Sequence, residues 1–120
     1  MADHNETGKR GETIAGKFLQ DKGHIILEQN WYNHHQEIDI IARKGNELVI
    51  VEVKSRTGTP LVNPYAAVNR NKQNLLIKAA NAYIQWKNID METRFDVISI
   101  TIGKEITIDH IENAFYPRVR

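Results

Sequence analysis

Hydrophobic residues change their period several times along this chain, and each change marks an element. Between Gly8 and Lys22, Ile14, Ala15, Phe18 and Leu19 recur at helical spacing, and Gly23 is the residue type that stops a helix. Glu12 lies three residues before Ala15 and seven before Leu19, which turns its carboxylate to the edge of the buried face. His24 to Leu27 reads as a short strand, followed by a polar stretch through Trp31 and His35. Glu37 to Arg43 then alternates acidic and apolar residues, Lys44-Gly45-Asn46-Glu47 supplies turn chemistry, and Leu48 to Lys54 is rich in β-branched residues, so a hairpin is predicted.

Thr, Gly and Pro predict a loop from Ser55 to Asn63, and Asn63-Pro64 can open a short helical segment through Val68. Leu75, Leu76, Ala79, Ala80, Tyr83 and Ile84 form one stripe of a helix from Arg70 to Trp86, with Asn69 or Asn71 as its cap. Phe95 to Ile102 and Glu105 to Ile111 make a second hairpin around Gly103-Lys104. The order α-β-β-β-α-β-β predicts an α/β fold with a mixed sheet flanked by helices.

At 120 residues, one domain spanning 1–120 is expected, with residues 1–7 as a flexible N-terminal tail. The absence of cysteine removes disulfides, thiolate nucleophiles and cysteine zinc sites, and fits a reducing cytoplasm. No stretch approaches the roughly 20 apolar residues of a membrane span, so a cytoplasmic protein without membrane partners is the expectation. Net charge is only +1, from 16 Lys and Arg against 15 Asp and Glu, so bulk electrostatics do not announce a nucleic-acid binder. Two local basic clusters do exist, Lys9, Arg10 and Lys17, and Arg70, Lys72 and Lys78. Each reads equally well as the solvated face of a helix.

The chemistry concentrates in the first hairpin. Period-two alternation puts Glu37, Asp39 and Ile41 on one face of one strand, and Leu48, Ile50, Glu52 and Lys54 on one face of the next. With Gly45-Asn46 as the loop, paired positions sum to 91, which sets Asp39 opposite Glu52 and Glu37 opposite Lys54. Facing carboxylates with Cβ atoms ~5 Å apart repel and call for a cation. Mg²⁺ or Mn²⁺ is the natural candidate, since a hard ion takes oxygen ligands together with water and phosphate. Lys54 would then stand beside attacking water or the developing charge on phosphorus. The bland alternative is an edge strand whose exposed face carries Glu and Lys.

These residues resemble the PD-(D/E)XK nuclease superfamily and, more closely, the YraN family of uncharacterised bacterial proteins within it. The matching elements are Gly11-Glu12 with Ala15, Gly23, Asn30, Glu37-Ile38-Asp39-Ile40-Ile41, Val51-Glu52-Val53-Lys54-Ser55-Arg56, Lys72, Ala80 and Arg94-Phe95-Asp96-Val97, in order over almost the whole chain. The resemblance implies a restriction-endonuclease-like core with Asp39 and Glu52 as metal ligands and Lys54 as a base-positioning or charge-stabilising residue. Glu12 matches the helical acidic residue, a further ligand, of archaeal Holliday-junction resolvases. Gln73 matches a polar helix position that supports the site. The superfamily's namesake proline is absent, Ile38 preceding Asp39, and Gln36 stands where relatives tend to carry Gly.

Lys9, Arg10, Arg56, Arg70 and Lys72 are the candidate nucleic-acid contacts. His34-His35 lacks the spaced partners of a zinc site, and all five histidines are expected to be non-ligands. Trp31, Tyr32 and Trp86 are expected in core or interface, and Asp96 to pair with Arg94 or cap a loop. The favoured function is a metal-dependent endonuclease acting on DNA, with branched or structured DNA by analogy. The competing expectations are a non-catalytic module binding nucleic acid or a protein partner, and a ligand-free salt-bridge network. The resolvases act as dimers, and Ile106, Ile108 and Phe115 are candidate residues for a homodimer interface.

Overall fold

The predicted hairpin of β2 (Gln36–Lys44) and β3 (Glu47–Thr57) forms in the predicted register: Lys44 faces Glu47, Ile41 faces Ile50 and Ile40 faces Val51. Gly45, at φ 59°, supplies the left-handed conformation that the two-residue turn requires. This is a computed structural model, and it describes residues 2–59 and 68–117, with side chains from residue 6 onward. Around the hairpin stand α1 (Ala2–Asp21), β1 (Ile25–Asn33), α2 (Arg70–Lys87), β4 (Glu92–Ile102) and β5 (Ile106–Phe115). The sheet runs β1-β2-β3-β4-β5 and is mixed: β3 and β4 are parallel, and the other neighbours are antiparallel. Parallel neighbours need a crossover, and α2 lies within it.

Each helix covers one face. Leu76, Ala79, Ala80 and Tyr83 of α2 pack on Ile41, Leu48, Ile50 and Phe95, while Ala15 and Leu19 of α1 pack on Ile40, Val49, Val51, Ile98 and Ile100. β3 is therefore buried on both sides from Leu48 to Val53, the reason its sequence is an almost unbroken apolar run. Helix ends follow local chemistry. α1 closes with Gly23 at φ 91°, its N–H bonding the Gln20 carbonyl while that of His24 bonds Leu19. Asn69 caps α2 by accepting from the Lys72 N–H at 2.9 Å, and Asn88 ends that helix at φ 53°.

Several boundaries depart from expectation. α1 begins at Ala2, so residues 2–7 are helical, and no proline interrupts them. β1 extends through the polar stretch to Asn33, accommodated by a bulge between Ile26 and Glu28 and by Asn30 in the left-handed region at φ 52°. Ser55, Arg56 and Thr57, expected in a loop, continue β3 because Ile100, Thr101 and Ile102 pair with them in parallel. The helical segment expected from Asn63-Pro64 falls outside the described residues, apart from buried Val68. Of the three candidate interface residues, Phe115 is buried and stacked on Phe95, and Ile108 packs against the core, which leaves Ile106 exposed. Trp31 stacks on Trp86 and meets Tyr83 edge-on. Among the described residues, no helix is long and apolar enough to cross a membrane.

Asp96 is fully buried on β4 and does pair with Arg94, whose Nε and Nη2 reach its two oxygens at 2.9 and 3.0 Å. His110 Nε2 and the Asn113 N–H complete its shell at 2.7 and 3.0 Å. Burial opposes ionisation of Asp96, yet the bonds from His110, Arg94 and Asn113 outweigh it and hold the carboxyl below its ordinary range. Removing one partner of such a network strands the others. Asp96→Ala is expected to cost about 3–5 kcal/mol in chemical denaturation, and Asp96→Asn, which keeps the shape, less.

Candidate functional site

The hairpin ladder stops at Ile40 and Val51, and beyond that pair the sheet forks. β2 stays with β1, through Trp31 facing Ile38 and Tyr32 facing Glu37, while β3 stays with β4 as far as Thr57 and Ile102. Asp39 and Glu52, expected to face each other directly, stand at the base of the fork. The Asp39 Oδ2 there accepts the Val53 N–H at 2.7 Å, a donor that a continuing ladder would have given to β2 backbone. A side chain has replaced a backbone acceptor, and the strands separate around it.

Helix α1 reaches this opening because Gly11 sits directly on β3. A Cβ at Gly11 would fall on Ser55 Oγ and come within 2.7 Å of Ser55 Cβ, so only glycine permits this approach. The next residue, Glu12, is thereby delivered to the cluster. Carboxylate oxygens of Glu12, Glu37 and Asp39 lie within 4.8 Å of one another. Asn30 Nδ2 donates to Glu12 at 2.8 Å and to Glu37 at 2.7 Å, so one amide nitrogen bridges the two carboxylates. Glu37 was expected across from Lys54. It joins the acidic cluster instead, because the strands have parted before the Glu37 and Lys54 positions could pair.

Glu52 is buried and meets two cations: Lys54 Nζ at 3.3 Å and, from the first turn of α2, Lys72 Nζ at 3.9 Å. Asp39, only 9% exposed, is pushed up to about 8 by burial first and by the Glu52 charge second. The Val53 N–H opposes the rise, and Glu12 and Glu37 add to it.

Of the residues proposed from sequence, Glu12, Asp39, Glu52 and Lys54 converge, and Lys72 joins them as a site cation. Gln73 lies one residue further on α2, where its Nε2 donates to the Val68 carbonyl at 3.1 Å and its buried Oε1 has no partner among the described residues. Among the described residues no hydrogen bond links it to the carboxylates. Arg10 and Arg56 line a common cleft of about 760 Å³ between α1 and the end of β3. Lys9 is exposed on α1, and Arg70 is exposed at the first residue of α2. Glu37 is the functional candidate that sequence reasoning missed. Its place beside Asp39 in an alternating strand was the available signal, but the fork and the Asn30 bridge were invisible.

The donor set suits a hard divalent ion, being all carboxylate oxygen with no histidine or sulfur. At ligand distances of about 2.1 Å, opposed oxygens sit about 4.2 Å apart, so a cluster spanning 4.8 Å needs only a small contraction.

The sequence also has relatives. Residues 11–100 match the model of the uncharacterised protein family UPF0102. A UPF0102 protein of Bacteroides thetaiotaomicron is 47% identical over 119 residues, covering 98% of each chain. One from Flavobacterium psychrophilum is 49% identical over 117 residues, covering 97% of this chain and 98% of the relative. One from Porphyromonas gingivalis is 43% identical over 118 residues, covering 96% and 87%. With matches of this extent at both the family and the single-protein level, the chain belongs to the UPF0102 (YraN-like) family.

Proposed function

We propose that this protein is a divalent-metal-dependent endonuclease that hydrolyses DNA phosphodiester bonds, with branched or otherwise structured DNA as its substrate. The observation that carries the proposal is the convergence of Glu12, Glu37, Asp39 and Glu52 with Lys54 and Lys72 where β2 leaves β3. A buried carboxylate crowded by three others is electrostatically incomplete, and an oxygen-loving cation completes it.

Asp39, Glu12 and Glu37 are the first candidates to hold Mg²⁺ or Mn²⁺, with Glu52 beside them. The ion would supply Lewis acidity and a bound water of lowered pKa. Lys54 Nζ, with 40% of its side chain exposed, can donate to a phosphate oxygen or orient water from the solvent side. Lys72 keeps α2 against Glu52 and offers a second ammonium for charge developing on phosphorus. Arg10 and Arg56, with Lys9 and Arg70 further out, would bind backbone phosphates. Gln73 is retained only as a support for the start of α2.

A second function has a specific observation in its favour. Two lysines already lean on Glu52, so part of the acidic charge is compensated without an ion. A non-catalytic nucleic-acid-binding module would have the same arrangement, and the assays below separate the two.

Purified protein is expected to cleave at least one of single-stranded, duplex, flap or four-way-junction DNA in Mg²⁺ or Mn²⁺. Asp39→Ala and Lys54→Ala should each lower the rate by about a hundredfold or more. Salt-dependent binding with no product on any of these DNAs in either metal would establish the non-catalytic module.

Metal binding has its own readout in thermal melting. With Asp39 pushed up to about 8, the metal-free native state keeps a proton that the unfolded chain releases near the ordinary value. Stability therefore falls as pH rises from about 4 to about 8 and is level above that. Mg²⁺ at a hundred times its Kd should add about 2.7 kcal/mol, and the gain should be largest near pH 8. Asp39→Asn is expected to flatten the pH dependence and to abolish the response to Mg²⁺. Melting that ignores both pH and Mg²⁺ in the native protein would favour a closed salt-bridge network.

A further inference from the structure

We infer that the cleft between α1 and the end of β3 seats an unpaired nucleic-acid strand beside the acidic fork. This rests on the nucleic-acid reading above and deepens it by naming the strand state and the place it occupies. On one side stand Thr7 and Arg10 of α1, and on the other Ser55, Arg56 and Thr57 of β3, around a volume of about 760 Å³. Two guanidiniums and three hydroxyls are donors suited to phosphate oxygens. Among the described residues Glu6 is the one carboxylate in the lining, against the two guanidiniums, in a chain that is close to neutral overall.

Its shape selects one strand over two. The Gly11 backbone rests on Ser55, so helix and strand touch there, and Thr7 and Arg10 line the space on the α1 side just before that contact. A duplex carries its phosphates on the outside of a rod and can meet such a notch only at its rim. A single strand can enter, setting its sugar-phosphate chain against Arg10 and Arg56. A base edge can then lie against Ile102, or a base plane on a guanidinium. Arg56 is held for this by a bond from its Nη1 to the Thr59 carbonyl. Position ties the cleft to the chemistry: Arg56 lies two residues beyond Lys54, and Arg10 two before Glu12. A strand in the cleft would thus continue into the fork, and junctions and flaps offer such strands next to duplex.

The test is fluorescence anisotropy in EDTA, with labelled oligothymidylate of about ten nucleotides, the matching duplex, and oligouridylate. Native protein should bind the single strand more tightly than the duplex. Arg10→Gln/Arg56→Gln should weaken single-strand binding by about tenfold or more and reduce the slope of log K against log salt by about 1.4, near 0.7 per charge. A charge-matched control, Lys44→Gln/Lys87→Gln at the far ends of β2 and α2, should stay within about twofold of native. Arg10→Gln alone guards against misfolding, because Arg10 is exposed and has no hydrogen-bond partner among the described residues. It should show a smaller loss at an unchanged melting temperature.

Tighter binding of oligouridylate than oligothymidylate would support the cleft and assign its strand to RNA. Preference for duplex, no binding of either single strand, or unchanged affinity in the double variant would each overturn the inference. The outcome is separable from the nuclease proposal. Binding through the cleft without cleavage in Mg²⁺ or Mn²⁺ removes the enzyme and keeps the cleft, whereas cleavage with unchanged KM in the double variant removes the cleft and keeps the enzyme.

Discussion

When the Asp39 carboxylate accepts the Val53 N–H, one hydrogen bond ends a β-ladder and opens a site in the same place. An antiparallel pair normally satisfies its backbone donors with backbone acceptors, and a side chain taking that role must insert between the strands. β3 can leave β2 without losing its order because β4 continues to pair with it up to Thr57. The β3 branch of the fork therefore stays paired, and it carries Glu52 and Lys54 on a strand whose preceding residues are buried on both faces. The same burial leaves the negative charge poorly solvated.

Two small features bring the remaining groups to the fork. Gly11 lets α1 lie against β3 closely enough to deliver Glu12, and Asn30 adopts the left-handed conformation that aims its amide at both Glu12 and Glu37. Asparagine accepts that backbone conformation more readily than most residues with a side chain. The site thus draws on α1, β1, β2, β3 and, through Lys72, α2.

The Asp96 network shows what a completed charge cluster looks like in this same protein. Arg94, His110 and the Asn113 N–H satisfy both oxygens of a fully buried carboxylate, whose ionised form is favoured as a result. Asp39 has the opposite balance, with one backbone donor against burial and three neighbouring carboxylates. One cluster is closed within the fold and structural, while the other is open and short of positive charge. Sequence shows an acidic residue in an apolar strand in both cases, and only the partners distinguish them.

Local patterning was enough to establish the seven elements, their order, the hairpin register summing to 91, and the candidacy of Glu12, Asp39, Glu52 and Lys54. Those features depend on side-chain period, turn residues and capping, all of which act over a few neighbours. Tertiary structure decided what depends on distant partners. β4 drew Ser55 to Thr57 into the sheet, the fork separated Glu37 from Lys54, and Asn30 tied Glu37 to Glu12 across the gap. It also turned Lys72 from a solvated helix position into a partner of Glu52. Periodicity says which face a residue occupies. Where two strands stop pairing is set by long-range hydrogen bonds and packing, which no local pattern encodes.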